Sequence, residues 1–131
     1  MQVVLITGGA GFIGSNFIPY FLENNKAYKV VNLDLLTYAG ALSNVSEIQE
    51  NSRHTFIHGD ICDKKLVENL FNKYQFSAVI HFAAESHVDN SITNPDAFVK
   101  TNVLGTFNLL DTAKNYWMES PKMYKKGFEN C

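Results

Sequence analysis

The hydrophobic pattern of the chain alternates between short apolar runs and longer stretches with helical periodicity. Apolar runs at residues 3–6, 29–33, 55–58 and 78–82 have the length and composition of buried parallel strands. Stretches at residues 12–24, 64–74 and 95–117 place apolar side chains three and four positions apart, which predicts amphipathic helices. The polar connection at residues 37–53 predicts one further short helix.

Local signals refine these helices. Pro19 falls within the first, either near its first turns or at a kink. Asp63 is the predicted N-cap of the second, and Asn94 caps the last, with Pro95 at the first helical position. Residues 122–131 read as a lysine-rich loop. The buried face of the last helix is predicted to contain Val99, Asn102, Val103, Thr106, Leu110, Ala113 and Trp117.

Strands and helices alternate along the whole chain. This order predicts an α/β fold with a doubly wound parallel sheet, and right-handed crossovers give the strand order 3-2-1-4. The fourth strand would then be an unpaired apolar edge, and a fifth strand is expected directly after residue 131. We therefore expect residues 1–131 to be the N-terminal part of a Rossmann-type domain, with the rest of that domain and a substrate domain absent. Marginal stability and self-association through the edge strand are expected to follow.

Composition excludes several classes of protein. The formal net charge is −2 without a basic block, so nothing indicates nucleic-acid binding. No apolar run approaches the roughly 20 residues that cross a bilayer, and the N-terminus lacks the basic region of a signal peptide. Cys62 and Cys131 have no metal-ligand spacing, and a disulfide between them is not expected. A reduced, cytoplasmic setting fits these features.

A glycine-rich turn follows the first strand. Gly8, Gly11 and Gly14 stand at G-x-x-G-x-x-G spacing between a strand and a helix. Gly8 permits the tight turn, Gly11 lets the backbone approach a pyrophosphate, and Gly14 lets helix and sheet pack closely. The motif alone is weak evidence, but Asp34 ends the second strand 20 residues later, where a carboxylate accepts hydrogen bonds from the adenosine ribose. The combination predicts a dinucleotide site.

Asp34 also indicates which dinucleotide is bound. A carboxylate at this position repels a 2′-phosphate, and the next residues, Leu35 and Leu36, offer no basic side chain to hold one. The sequence therefore predicts NAD rather than NADP.

Two further strand ends carry candidate residues. Asp60 either accepts the adenine amino proton while Ile61 covers the ring, or merely caps the turn before the next helix. After the fourth strand, Ala83 and Ala84 are small enough to allow a nicotinamide ribose close to the backbone, and Ser86 either reaches a cofactor or substrate or caps the loop.

Histidines and carboxylates in the same segment raise a metal-site hypothesis. His81, Glu85, His87 and Asp89 are the possible ligands, but their spacing is not H-E-x-x-H and the first of them alternate between faces of a strand. No metal is therefore predicted, and His81 is interpreted as a hydrogen-bonded core histidine.

Together these segments resemble the extended short-chain dehydrogenase/reductases, and within them the branch that dehydrates dTDP-hexoses. The resemblance rests on residues 7–14, 34–40, 59–63, 81–89, 91–92 and 101–106, of which 36–40 and 83–89 are the specific ones. It implies that Phe12 and Ile13 bind the pyrophosphate of NAD, and that Asp34, Leu35, Leu36 and Thr37 surround the adenosine ribose. It also implies that Asp60 and Ile61 contact adenine. The nicotinamide side is lined by Phe82, Ala83, Ala84, Glu85 and Ser86, and Thr101 closes the site from the long helix. It further implies that Ser86 lies near a dTDP-sugar substrate, and that the last helix joins a four-helix homodimer interface in the full-length protein.

The resemblance also implies a reaction and a catalytic pair that this chain lacks. Such enzymes oxidise the hexose at C4 with NAD, eliminate water across C5 and C6, and return the hydride to C6. Their general base is a tyrosine with a lysine four residues later, and none of the six tyrosines here has one. The acidic catalytic residues of the fifth strand are absent as well, so the chain alone is expected to be inactive and to contain no catalytic residue.

Two alternatives remain open at this stage. One is a fragment of another sugar-nucleotide enzyme, such as a 4-epimerase acting on a UDP-sugar, although residues 85–89 argue against it. The other is a non-catalytic protein that uses the half-fold to bind a nucleotide, or a partner through the fourth strand.

Overall fold

The computed structural model describes residues 1–37 and 40–131. Tyr38 and Ala39, which belong to the segment at residues 34–40 on which the resemblance partly rests, lie outside the described residues. The described part forms a parallel sheet with helices on both faces, followed by a short antiparallel hairpin.

The sheet has the predicted order β3-β2-β1-β4, with every neighbouring pair parallel. Its strands are β1 (Gln2–Thr7), β2 (Tyr28–Asp34), β3 (His54–His58) and β4 (Ala78–His81). The central strands extend past their apolar runs because parallel pairing continues to the polar residues Thr7 and Asp34. Thr7 and Asp34 therefore both lie at the carboxyl edge of the sheet, on neighbouring strands.

Two helices have the predicted bounds, α1 (Phe12–Asn24) and α2 (Lys64–Tyr74). Asp63 caps α2 as expected, since its carboxylate accepts a hydrogen bond from the Leu66 amide at 3.0 Å. Pro19 lies inside α1, which continues past it. The polar connection contains a 3₁₀ helix at Leu42–Ile48. A short helix that the sequence did not predict, α3 (Val88–Thr93), follows β4.

The last predicted helix is continuous from Pro95 but changes its winding. It consists of α4 (Pro95–Phe98), a π-helical segment (Val99–Gly105) and α5 (Thr106–Trp117). Asn94 precedes the helix, but its side chain makes no capping hydrogen bond. Beyond Trp117, the expected loop is in part a hairpin, because β5 (Met118–Ser120) pairs with β6 (Met123–Tyr124).

The predicted buried face of the long helix was wrong over most of its length. Val99, Val103 and Leu110 are 56%, 58% and 67% exposed, and Asn102 is exposed as well. Only Ala113 of the predicted set is fully buried, while Thr106 and Trp117 are half-buried. The helix instead faces the core through Gly105, Asn108, Leu109, Thr112 and Ala113. It carries two apolar stripes, and apolar periodicity alone does not say which one meets the sheet.

Two apolar clusters lie on opposite faces of the sheet. One joins β1 and β2 to α2 and α5 through residues such as Leu5, Phe71 and Leu109. The other joins the same strands to α1 and the 3₁₀ helix through residues such as Ile6 and Ile18. Burial on both faces holds the strands rigid, so the loops at their carboxyl ends have fixed positions.

Candidate functional site

The glycine-rich turn brings the ends of β1 and β4 together. Gly8 has a positive φ of 69°, a backbone conformation that favours glycine. A methyl group there would lie 2.5 Å from the Ala83 amide nitrogen, so β4 leaves no room for one. Gly14 packs against the backbone of Gly8 and Gly9 and equally excludes a side chain. The predicted reasons for glycine at positions 8 and 14 are therefore visible in the packing.

Gly11 has no comparable reason within the fold. Its φ of −77° suits any residue, and the nearest atom to a methyl group there would be the Gly8 carbonyl oxygen at 3.3 Å. Gly11 stands at the N-terminus of α1, and no side chain in the described part of the chain caps that end. The first backbone N–H groups of a helix have no intrahelical acceptor and carry partial positive charge. Gly11, which lines a cleft, therefore stands at a helix end suited to an anion.

The Asp34 carboxylate is fixed beside this turn. Its Oδ2 accepts a hydrogen bond from the Ala10 amide at 2.9 Å, and its Oδ1 accepts one from the Leu36 amide at 2.8 Å. Only 8% of the residue is exposed. An ionised carboxylate can accept about four hydrogen bonds, so two acceptor positions remain for a ligand. Asp34 is thus a preorganised acceptor on the wall of a cleft.

Asp60 and Ile61 form the next part of the wall. One oxygen of Asp60 accepts a hydrogen bond from the Cys62 amide at 2.8 Å, so the capping interpretation holds for that oxygen. Ile61 is fixed from the long helix, because Asn108 donates to its carbonyl at 2.6 Å and Gly105 packs against its side chain. Both residues line the cleft.

The segment after β4 is held by the long helix. Asn102 accepts a hydrogen bond from the Glu85 amide at 2.8 Å and donates one to the Glu85 carbonyl at 2.9 Å. Thr101, its neighbour in the π-helical segment, also lines the cleft. The Asn102 interaction was not predicted, because the two residues lie 17 positions apart and no local pattern links them.

His81 is the hydrogen-bonded core histidine that the sequence suggested. Its Nδ1 lies 2.6 Å from the Thr7 hydroxyl, and its Nε2 lies 3.0 Å from the Thr106 hydroxyl. The Thr7 hydroxyl also accepts from the Ala83 amide at 3.2 Å, and the Thr106 hydroxyl donates to the Asn102 carbonyl. Burial lowers the pKa of His81 below its usual value, which favours the neutral ring. The imidazole thereby joins β1, β4 and the long helix.

These walls enclose a cleft of about 350 Å³ at the carboxyl edge of the sheet. Every predicted cofactor-binding residue except Leu36 lines it. The lining residues are Gly8, Gly11, Phe12, Ile13, Gly14, Leu33, Asp34, Leu35, Thr37, Gly40, Gly59, Asp60, Ile61, Phe82, Ala83, Ala84, Glu85, Ser86 and Thr101.

Four positions differ from the predicted set. Leu36 has a positive φ of 55° and packs against the core between the sheet and α1 instead of facing the cleft. Leu33, Gly40 and Gly59 line the cleft but were not predicted. Leu33 and Gly59 adjoin the predicted residues Asp34 and Asp60, so extending each strand end by one position would have found them.

Other chemistry is not supported by the described residues. They contain no group of three or more histidine, cysteine or acidic side chains arranged to hold a metal ion. Both cysteine thiols are free, and burial raises the pKa of each, so neither is activated as a nucleophile. Among the same residues, no helix has the length and apolar character needed to cross a membrane. What remains is a helix end suited to an anion, beside a fixed carboxylate in the same cleft.

Comparisons with known proteins agree with this geometry. The family model described as GDP-mannose 4,6 dehydratase matches residues 5–127. A dTDP-glucose 4,6-dehydratase from Salmonella typhimurium is 50% identical over 125 residues, which is 95% of this chain and 34% of that protein. One from Haemophilus influenzae is 50% identical over 117 residues, 89% of this chain and 34% of that protein. The chain therefore spans about a third of the length of the curated relatives it matches.

Solved structures show the same fold. A dTDP-glucose 4,6-dehydratase from Streptomyces venezuelae with NAD bound matches 88% of this chain and 36% of its own, with a TM-score of 0.82 and 43% identity. A UDP-glucose 4-epimerase from Brucella ovis in complex with NAD matches 88% of this chain and 33% of its own, with a TM-score of 0.73 and 36% identity. The Rossmann-type parallel sheet with strand order 3-2-1-4 is thus confirmed.

Proposed function

The chain belongs to the GDP-mannose 4,6 dehydratase family, and we propose that it is the NAD-binding portion of a dTDP-glucose 4,6-dehydratase. The observation that carries this proposal is that the N-terminus of α1 at Gly11, which no side chain caps, and the fixed Asp34 carboxylate line one cleft. The pyrophosphate lies at the N-terminus of α1, and the adenosine ribose lies at the Asp34 carboxylate. The dehydratase relatives solved with NAD support the same cofactor.

The remaining predicted residues have definite places in this arrangement. Phe12 and Ile13 contribute the first helical N–H groups to the pyrophosphate, and Asp60 and Ile61 flank the adenine. The nicotinamide end lies along residues 82–86, where Ala83 and Ala84 leave room, and Thr101 closes the cleft from the long helix. Leu36 supports this site from behind by donating its amide to Asp34.

NAD is favoured over NADP in this cleft. A 2′-phosphate would lie against the Asp34 carboxylate, whose position the Ala10 and Leu36 amides fix. The residues that follow, Leu35 and Leu36, carry no positive charge to compensate. Calorimetric titration of NAD and NADP into the chain tests this proposal: NAD binds at one site and NADP at least about tenfold more weakly. Equal affinity for the two would overturn it.

Turnover requires residues that this chain does not contain. No tyrosine in the 131 residues is followed by lysine at the fourth position, so the family's general base is absent. We propose that residues 1–131 supply the dinucleotide site and Ser86, while the rest of the dinucleotide domain and the dTDP-sugar domain belong to the remainder of the relatives' length. The purified chain therefore binds NAD without converting dTDP-glucose. Formation of the 4-keto-6-deoxy product by this chain would contradict the proposal.

The oligomeric state that we propose for the full-length enzyme rests on an exposed apolar surface of the long helix. The outward stripe of the long helix exposes Val99, Val103, Phe107 and Leu110. Burial of this stripe against a second copy gives a homodimer of the full-length enzyme.

We further propose a cytoplasmic location and no nucleic-acid partner, in keeping with two free thiols and a formal net charge of −2.

A further inference from the structure

A buried asparagine lies beneath the glycine-rich turn. Asn32 is in the middle of β2, is completely buried, and follows apolar residues on that strand. Its Oδ1 has no hydrogen-bond partner among residues 1–37 and 40–131. A buried carbonyl oxygen without a partner destabilises a fold, so its presence calls for a reason that packing alone does not supply.

The other end of the amide is held by a neutral histidine. Asn32 Nδ2 lies 3.4 Å from His54 Nε2 on the neighbouring strand β3. His54 is buried, and burial lowers its pKa, with a hydrogen bond to the backbone of Ile48 opposing this in part. A neutral ring can accept from the Asn32 amide at Nε2, and this fixes which way the amide points.

The unpartnered oxygen faces Gly9. A side chain at Gly9 would overlap Oδ1 of Asn32, and it would lie 2.5 Å from both Cγ of Asn32 and Cδ1 of Ile18. The planar amide therefore packs directly against the Gly9 backbone, where a Cα–H group is the available neighbour for the oxygen. Gly9 is not an element of the G-x-x-G-x-x-G spacing, so the motif does not account for this contact.

Three successive residues of the turn, Gly8, Gly9 and Ala10, each contact β2, and the contact of Gly9 is with Asn32. The Gly8 amide donates to the Leu33 carbonyl at 2.9 Å, and the Ala10 amide donates to the Asp34 carboxylate at 2.9 Å. Between these two hydrogen bonds, the Asn32 amide packs against Gly9 and leaves no room for a side chain there. Displacing Gly9 would therefore move the residues on both sides of it, and these lead into Gly11 and the first turn of α1.

We propose that Asn32, oriented by His54, is a positioning residue for the pyrophosphate-binding turn. It touches neither nucleotide nor substrate but holds Gly9 at the height at which the backbone N–H groups of the turn meet the phosphates. This inference rests on the proposed NAD site. It differs from a purely structural role in what it affects most. The phosphate contacts depend on the turn itself, whereas Asp34 keeps its hydrogen bond from the Leu36 amide at 2.8 Å and Asp60 keeps its own from the Cys62 amide at 2.8 Å.

The test compares ligands with and without phosphates. Asn32→Leu replaces the thin amide with a branched side chain, and Asn32→Ser keeps a short polar group. Thr112→Val is the matched control, because Thr112 Oγ1 is also buried without a hydrogen-bond partner but lies on α5, away from the cleft. NAD, ADP and adenosine are titrated into each variant and into the unaltered chain, with binding followed by calorimetry or ligand-observed NMR.

The expected result is selective. Asn32→Leu weakens NAD and ADP binding by about tenfold or more, because small displacements of a binding group have large effects, and changes adenosine binding by less than about twofold. Asn32→Ser weakens ADP binding less than Asn32→Leu does, and Thr112→Val changes none of the three. In ligand-free spectra, the amide resonances of Gly8, Gly9 and Ala10 shift in Asn32→Leu and stay in place in Thr112→Val.

Three outcomes would overturn the inference. Unchanged ADP affinity in Asn32→Leu, or equal losses for ADP and adenosine, would show that Asn32 has no selective role at the turn. If Asn32→Leu does not fold, the same two comparisons of ADP and adenosine affinity are made with Asn32→Ser, and the same results would overturn the inference. Failure of the unaltered chain to bind NAD would instead overturn the proposed function itself, and the inference with it.

Discussion

Asn102 holds the backbone of Glu85 from both sides, accepting from its amide at 2.8 Å and donating to its carbonyl at 2.9 Å. The side-chain amide thereby makes the two backbone hydrogen bonds that a residue of a neighbouring strand would make with Glu85. It joins the π-helical part of the long helix to the loop that lines the nicotinamide end of the cleft. That loop therefore depends for its position on a residue from the opposite wall.

Removal of this interaction is expected to weaken cofactor binding. Asn102→Ala leaves the Glu85 amide and carbonyl to solvent, so the loop loses its fixed position and NAD binds several-fold more weakly. The free energy of unfolding falls by about 1 kcal/mol, the usual size for exposed hydrogen bonds. Calorimetry and urea denaturation measure the two effects. Asn115→Ala is the control, since that exposed asparagine on α5 lies outside the cleft; equal losses of NAD affinity in both variants would contradict the account.

Substitution at Gly11 separates folding from binding. A methyl group at Gly11 would lie 3.3 Å from the Gly8 carbonyl oxygen, a tight contact that a shift of a few tenths of an ångström relieves, so we expect the free energy of unfolding to fall by less than about 1 kcal/mol. The methyl group enters the space where the pyrophosphate lies, so NAD affinity falls by about tenfold or more.

Gly8→Ala provides the contrast. It places a methyl group 2.5 Å from the Ala83 amide at a φ of 69°, so it is expected to destabilise the fold by more than about 1 kcal/mol. Thermal denaturation of both variants, with NAD titration, distinguishes the roles. Undiminished NAD affinity in Gly11→Ala would show that the ligand does not approach this turn.

Cofactor preference is expected to depend on the charge of Asp34. Asp34→Asn keeps the size of the side chain but removes the negative charge that repels a 2′-phosphate. NAD affinity falls, NADP affinity falls less or rises, and their ratio moves toward unity by about tenfold. Competition of each dinucleotide for the same site measures the ratio. An unchanged ratio would mean that the ribose lies elsewhere.

Stability is expected to fall in mild acid. Burial lowers the pKa of His54 and His81 in the folded chain, so the unfolded chain binds more protons below the ordinary histidine pKa of about 6.5. The stabilisation is fully present above that pH and is lost as the pH falls toward the folded-state pKa, at no more than about 1.4 kcal/mol per pH unit for each histidine. Urea denaturation from pH 7 to pH 5 follows the loss. His81→Gln is expected to reduce the slope, and a slope that stays the same in that variant would contradict this assignment.

The sequence predicted best what local chemistry determines. The glycine turn and Asp63 define where α1 and α2 begin, and both helices have the predicted bounds. The strand order followed from the alternation of elements. The glycine turn and the strand ends indicated part of the cleft, and the family resemblance indicated other lining residues such as Phe12 and Thr101.

The sequence predicted less well what depends on distant neighbours. Leu36 turns away from the cleft through a positive φ that a leucine gives no reason to expect. The buried face of the long helix was misassigned because Leu110 on its outer side is as apolar as Leu109 on its inner side. The hydrogen bonds of Asn102 and His81 join residues 17 to 74 positions apart, and such pairs leave no local pattern.

Calorimetric titration of NAD into the purified 131-residue chain tests the central claim most directly. We expect saturable binding of NAD at one site per chain, weaker binding of NADP, and loss of NAD affinity in Gly11→Ala. No heat of binding from a chain whose far-UV spectrum and cooperative denaturation show that it is folded would contradict the claim that these residues form a dinucleotide site.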